Sequence, residues 1–169
     1  MRPSKNDYAE YYHKYIQELD SDDILKILGN QLISSLELFK SIPEERANYR
    51  YAEGKWSIKE LLGHIIDTER IFAYRALCFA RGEKQHLPGM EQDDYVREAE
   101  FDKRQFTDMI KEYELVRRSN LLLFKSFSEM ELNRRGTASN NEVTVLAILF
   151  IIAGHELHHI KVLKEKYLG

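Results

Sequence analysis

The sequence predicts an all-α fold: a four-helix bundle with a short extra N-terminal helix and a long loop between the second and third long helices. Three observations carry this. Apolar residues recur at spacings of three and four along four separate stretches. Only three prolines occur in 169 residues, and Pro43 and Pro88 fall where connections are expected, which leaves long stretches free of helix breakers. One stretch opens on a complete helix-start signal, Ser57-Ile-Lys-Glu60. No internal repeat, low-complexity tract or linker divides the chain, so residues 1–169 read as one domain with one substantial core.

The elements follow in order. A short helix is expected over residues 8–19, with Tyr8, Tyr11, Tyr12 and Tyr15 as a packing face. The first long helix is expected over residues 22–40. Its stripe is Ile24, Leu25, Leu28, Leu32, Leu36 and Phe39; Asp20 or Ser21 can cap it, and Pro43 follows its end. The second begins at Ser57, where the serine accepts from a free backbone amide and Glu60 reaches back, with Trp56 and Leu61 as a hydrophobic staple. It runs to about residue 80, and Gly82 can stop it. Residues 83–100, with Pro88-Gly89, read as a long loop holding one short turn of helix, a length often tied to function. The third long helix is expected over residues 102–127, with Phe106, Met109, Ile110, Tyr113, Val116, Leu123 and Phe127 inward. A polar turn or small hairpin follows at residues 135–141. The fourth helix starts within residues 141–144 and ends at Tyr167. Its run 145–153 is wholly apolar and reads as buried on all sides.

Composition narrows the function classes. Hydrophobic content of 43% and charged content of 31% are ordinary for a water-soluble domain. A net charge of −3 with both signs interspersed argues against nucleic acid as the main partner. Arg117-Arg118 and Arg134-Arg135 read as solvated surface. A single cysteine, Cys78, excludes an intramolecular disulfide and suits a reducing cytoplasm. Residues 1–20 lack the apolar core of a signal peptide. The apolar run 145–153 is far shorter than the roughly 20 residues a bilayer requires. A cytoplasmic protein without a membrane or nucleic-acid partner is expected.

The informative motif is Gly154-His-Glu-Leu-His-His159. His155 and His159, four apart on a helix, stand one above the other and can reach one ion. They lie in line with Ile148, Ile151, Ile152 and Val162, so they point toward the core. Gly154 would let a neighbouring helix approach closely. His158 is rotated about 100° from His159 and reads as a surface or outer residue. The motif also matches the zinc-protease signature H-E-x-x-H. That signature needs a third ligand downstream, and only Glu165, about 9 Å along the same helix, is there. The protease reading fails, and Glu156 becomes a helix-surface residue.

A third ligand must come from upstream, and His64, at the edge of the second helix's stripe, is the best candidate. Asp67, one turn on, is the candidate for orienting His64 or handling a proton; the plain alternative is a surface charge. Cys78 lies about 21 Å from His64 along the axis and cannot share its ion. His13 and His86 lie near the terminus and in the loop. Glu69 falls inside the apolar stripe and reads as a buried carboxylate paired with Arg70, Arg75 or an arginine of another helix. On the residues alone, the histidines are either a metal site or core histidines of a plain bundle.

With these residues placed, the chain resembles the DinB/YfiT-like superfamily over nearly its whole length. The resemblance rests on Tyr51-Ala-Glu-Gly-Lys-Trp-Ser-Ile-Lys-Glu60, Gly63-His-Ile-Ile-Asp-Thr-Glu-Arg-Ile-Phe-Ala-Tyr-Arg75, Leu87-Pro-Gly89 and Ala153-Gly-His-Glu-Leu-His-His159. It implies a four-helix bundle, commonly a homodimer, and a divalent metal ion, zinc or nickel, held by three histidines that fall here on His64, His155 and His159. It also implies a metal-dependent hydrolase, or a thiol S-transferase acting with a low-molecular-weight thiol such as bacillithiol or mycothiol. It gives no reason to expect DNA binding. The alternative is a non-catalytic dimeric bundle with a structural or vestigial metal site. Loop 83–100, with Asp93, Asp94 and Tyr95, is expected to cover the site.

Overall fold

The computed structural model describes residues 1–169. The long helices are α2 (Ile24–Lys40), α3 (Ile58–Ala80), α5 (Phe106–Lys125) and α7 (Val145–Val162), with short helices α1 (His13–Ile16), α4 (Gln92–Ala99) and α6 (Glu129–Leu132) between and before them. Strands β1 (Arg135–Ala138) and β2 (Asn141–Thr144) form one antiparallel hairpin. Helix α3 packs against α5 and α7, and α2 packs against the same two. Thus α2 and α3, consecutive long helices, occupy opposite corners of the bundle, as do α5 and α7.

Local chemistry explains the boundaries. The Ser57–Glu60 capping box forms as the sequence predicts, with Glu60 N bonded to Ser57 Oγ at 3.1 Å and Ser57 N to Glu60 Oε2 at 2.7 Å. Helix α3 ends before Gly82, whose φ of +87° suits glycine. Helix α5 starts four residues later than expected. Glu100 takes a left-handed φ of 48° and a 3-10 turn covers Phe101–Lys103. The cap is then supplied from a distance: Glu44 accepts from Phe106 N at 3.1 and 3.0 Å and pairs with buried Lys59 at 2.9 Å. The expected loop 83–100 holds a full helix, α4, with Val96 as its one buried residue. The expected helix over 8–19 is broken into the 3-10 turn Glu10–Tyr12 and the single turn α1. Tyr8 and Tyr15 are buried as expected, but Tyr11 faces solvent.

Residues 145–154 of α7 are buried without exception. The stretch Val145–Leu168 is long and apolar enough to cross a bilayer, but most of it is enclosed by the other helices. That is the pattern of a central core helix.

The apolar interior is divided in two. One cluster joins Leu28, Phe72, Phe79 and Phe124 to residues 145–153, and the other joins Leu32, Leu62, Phe106 and Tyr113 to Ile160 and Leu163. Between them lies a charged layer. Arg117 is 0% exposed and grips Glu69 with Nε to Oε1 and Nη2 to Oε2, both 2.8 Å. Its Nη2 also donates to Glu156 Oε2, and its Nη1 to Leu28 O at 3.2 Å. Ser35 Oγ and Tyr113 Oη donate to Glu156 Oε1 at 2.6 and 2.8 Å. Asn120 completes Glu69 at 3.0 Å.

This network corrects two expectations. Arg117 is not solvated surface, and Glu156 is not a helix-surface residue; both face inward and neutralise each other. The expectation for Glu69 holds, with the arginine coming from α5. All four long helices contribute to the layer, so it fixes the rotation of α7 about its own axis.

Candidate metal centre

That rotation positions the histidines. With Glu156 turned into the bundle, His155 and His159 stand on the adjoining side of α7, facing α3. His64 approaches from α3, buried beneath the ring of Trp56 at 4.7 Å between centroids. The Nε2 atoms of His64 and His159 each lie 3.0 Å from Nε2 of His155. All three ligand atoms fall within 4.8 Å of one another.

This cluster fits a divalent ion on two grounds. A neutral imidazole nitrogen offers either one proton or one lone pair. His155 Nε2 therefore cannot make good hydrogen bonds to both neighbours, and one in-plane site is left facing another nitrogen. An ion removes that conflict. Ligands at about 2.0–2.1 Å in tetrahedral array also stand about 3.3 Å apart, close to the separations here.

The electrostatics agree. Burial lowers the His64 pKa to about 4. Burial first, then the neighbouring histidines, lowers His159 to about 3 and holds His155 well below its ordinary value. All three are neutral at pH 7, the form that binds metal. Protons displace this state only as pH falls well below 6.5.

Surrounding residues hold the ligands. Thr68 Oγ1 sits 3.5 Å from His64 Nδ1, the ring nitrogen turned away from the cluster, where it can steady the imidazole. Asp67 makes no hydrogen bond to His64; its carboxylate is half-buried with Arg70 Nη1 at 3.9 Å and Glu112 and Arg104 nearby. The α3 turn aims Thr68, not Asp67, at the imidazole. Trp56 also covers His159 at 6.4 Å, and Tyr167 Oη anchors the Trp56 carbonyl at 2.7 Å. Tyr15 packs edge-on against His155 and His158 at 5.8 and 5.4 Å. Neither Trp56 nor Tyr15 was assigned to the site from sequence. Each has an aromatic and packing role there that gave no separate signal. Cys78, His13 and His86 take no part in the cluster.

Gly154 performs the role expected of it. A Cβ on it would lie 2.4 Å from the carbonyl oxygen of Tyr15, so α1 rests directly on the α7 backbone. Gly154→Ala must displace backbone and is expected to cost about 1–3 kcal/mol. Gly29→Ala, where nothing lies within 4 Å, should instead stabilise by about 0.5–1 kcal/mol. Thermal denaturation of the two variants checks the opposite signs.

Two cavities flank the cluster. One, of about 320 Å³, is lined by His64, His155, Thr68, Tyr12, Tyr15 and Arg75. The other, of about 350 Å³, is lined by His159, His158, Trp56, Tyr51 and Tyr167. Asp93, at the start of α4, lines both. The segment 83–100 therefore borders the site, as expected, although Asp94 and Tyr95 line neither cavity.

Fold and site together define a helical bundle with a three-histidine cluster able to hold a metal, borne on two of its long helices. The sequence pattern of the DinB superfamily matches residues 34–163, and the chain belongs to that superfamily. Two solved structures share the fold. YfiT from Bacillus subtilis, described as a probable metal-dependent hydrolase with an unusual four-helix bundle topology, superposes with a TM-score of 0.71 at 14% identity, covering 98% of this chain and 90% of YfiT. A mycothiol-dependent maleylpyruvate isomerase superposes with a TM-score of 0.69 at 12% identity; the match covers 86% of this chain and 61% of the isomerase. No curated protein matches the sequence significantly.

Proposed function

We propose that this protein is a metal-dependent enzyme that binds one divalent ion, zinc or nickel, on His64, His155 and His159 and acts on a small molecule as a hydrolase or a low-molecular-weight-thiol S-transferase. The observation that carries the reading is the convergence of three neutral Nε2 atoms beside two open cavities. An ion held there supplies Lewis-acid activation of a water or a thiol near neutral pH.

The chain's own residues do the rest. Trp56, Tyr15 and Thr68 fix the three rings. The two cavities, each near the lower size for a small-molecule site, admit substrate from either side. Asp93 borders both cavities and is solvent-accessible, which suits a carboxylate that takes a proton from the nucleophile and returns it to the leaving group. Asp67, the earlier candidate for that task, lines neither cavity.

A structural or vestigial ion in a non-catalytic bundle is the rival reading. The charged layer weighs against the structural version, because it already ties all four long helices together while the histidines span only two. We also propose a homodimer in the cytoplasm, to be checked by sedimentation and fractionation.

Metal analysis of purified protein tests the reading first. About one equivalent of zinc or nickel per chain is expected; less than about 0.1 equivalent, unchanged on reconstitution, sinks it. Incubating the loaded protein with a bimane electrophile and a panel of small thiols then separates the two chemistries. Metal-dependent conjugation marks a transferase, and its absence with every thiol leaves hydrolysis.

A further inference from the structure

The bundle buries two arginines in opposite circumstances. Arg117 is enclosed and bonded to two carboxylates. Arg75 is only 4% exposed, yet no carboxylate lies within ion-pair distance of it. Its Nη2 donates to Pro88 O at 2.8 Å and to Ser139 Oγ at 3.3 Å. Its Nε and Nη1 have no acceptor in the protein and are not sealed off, because the residue lines the 320 Å³ cavity. Burial pulls its pKa down, and the groups opposing that are the tyrosines Tyr12 and Tyr95, not acids. A guanidinium stays charged under such a shift, so it stands as a desolvated cation facing a cavity.

The position is built. His64, Thr68, Phe72 and Arg75 follow one another at helical spacing along α3 and all line that cavity. A long helical side chain leans toward the N-terminus of its helix, which carries the guanidinium back toward Thr68 and His64. The Phe72 ring lies 4.9 Å beneath it. Ser139 sits with Asn140 in the hairpin turn, both with positive φ, 51° and 61°. The hairpin is bonded to Leu87 through Thr137 O at 2.9 Å and Ser139 N at 3.2 Å, so Ser139 Oγ and Pro88 O come to Arg75 together. Glu91 and Asp93 also line the cavity, at its exposed mouth, and neither pairs with Arg75.

We propose that Arg75 is the anchor for a carboxylate of the substrate, and that the substrate of the metal centre is a carboxylate-bearing small molecule held between this guanidinium and the histidine cluster. With Nη2 held by Pro88 O and Ser139 Oγ, Nε–H and Nη1–H each remain free to donate a charge-assisted hydrogen bond to a carboxylate oxygen. The apolar rings of Tyr12 and Phe72 fit the carbon chain behind it. This rests on the catalytic reading of the His64–His155–His159 cluster.

The test uses metal-loaded protein titrated with succinate, uncharged succinamide and inorganic phosphate. Side-chain Nε–H NMR of Arg75 and isothermal calorimetry report binding. A saturable succinate shift at Arg75, absent with succinamide, is expected. Arg75→Gln should weaken succinate about tenfold or more, and Arg75→Lys by less, with metal content unchanged in both. The wild-type NMR shift stands whether or not the variants fold. Succinate binding that leaves the Arg75 resonance unmoved, equal affinity for succinamide, or phosphate binding in preference to succinate would overturn the proposal. Protein that takes up no metal on reconstitution yet shows the Arg75 shift keeps the anion site and removes the metal reading. Full metal loading without the shift does the reverse.

Discussion

His155→Ala should leave the protein folded and unable to retain a divalent ion. His155 Nε2 is the central atom of the cluster, 3.0 Å from both other ligand nitrogens. Its loss leaves His64 and His159, too few protein ligands for a stable site. Affinity should fall by more than the roughly 10–100-fold that loss of an outer-sphere contact costs. Folding should survive, because the charged layer and both apolar clusters remain intact. Metal analysis after dialysis against a weak chelator, with far-ultraviolet circular dichroism alongside, reads both halves of the expectation. A variant that keeps its ion, or one that unfolds, contradicts this account of the site.

Arg117→Ala should be the most destabilising single change in the bundle. It leaves Glu69 and Glu156, 2% and 1% exposed, facing each other without the cation between them. Breaking a buried pair by removing one partner costs about 3–5 kcal/mol. For a chain of this size that lowers the melting temperature by about 6–20 °C. Replacing all three together, Glu69→Gln with Arg117→Met and Glu156→Gln, should recover much of the loss, because no uncompensated charge then remains. Thermal denaturation of the single and triple variants measures the difference. Arg117→Ala should also weaken metal retention, because Glu156 sets the rotation of α7 that presents His155.

Much of the bundle is legible in the sequence, for definite reasons. The stripes of α2 and α3 and the wholly apolar start of α7 have the right period, and the Ser57 box marks its boundary chemically. The i, i+4 pair on α7 is likewise local, and His64 stands out as a histidine at the edge of a stripe. What escapes has no local signature. In Arg117-Arg118 the two residues look alike, and only the phase of Phe106, Met109, Ile110, Tyr113 and Phe124 tells that 117 faces inward and 118 outward. Glu156 was obscured by its place inside a familiar motif. The cap on α5 comes from Glu44, sixty-two residues away. Helix α4 buries a single residue and so carries almost no periodic signal. Trp56 reads as the partner of Leu61, while its ring also covers two ligands from different helices.

The charged layer that parts the two apolar clusters also bears on how such a chain can change over time. Substitutions in the half around Phe79 and Phe124 and in the half around Phe39 and Phe106 share few neighbours, so their effects should combine additively. Each half is free to drift in sequence on its own terms. The layer between them is not, since every member answers to a partner on another helix. Substitutions are therefore expected to be tolerated separately on either side of a layer that tolerates few, and His155 stands next to that layer's Glu156 on α7.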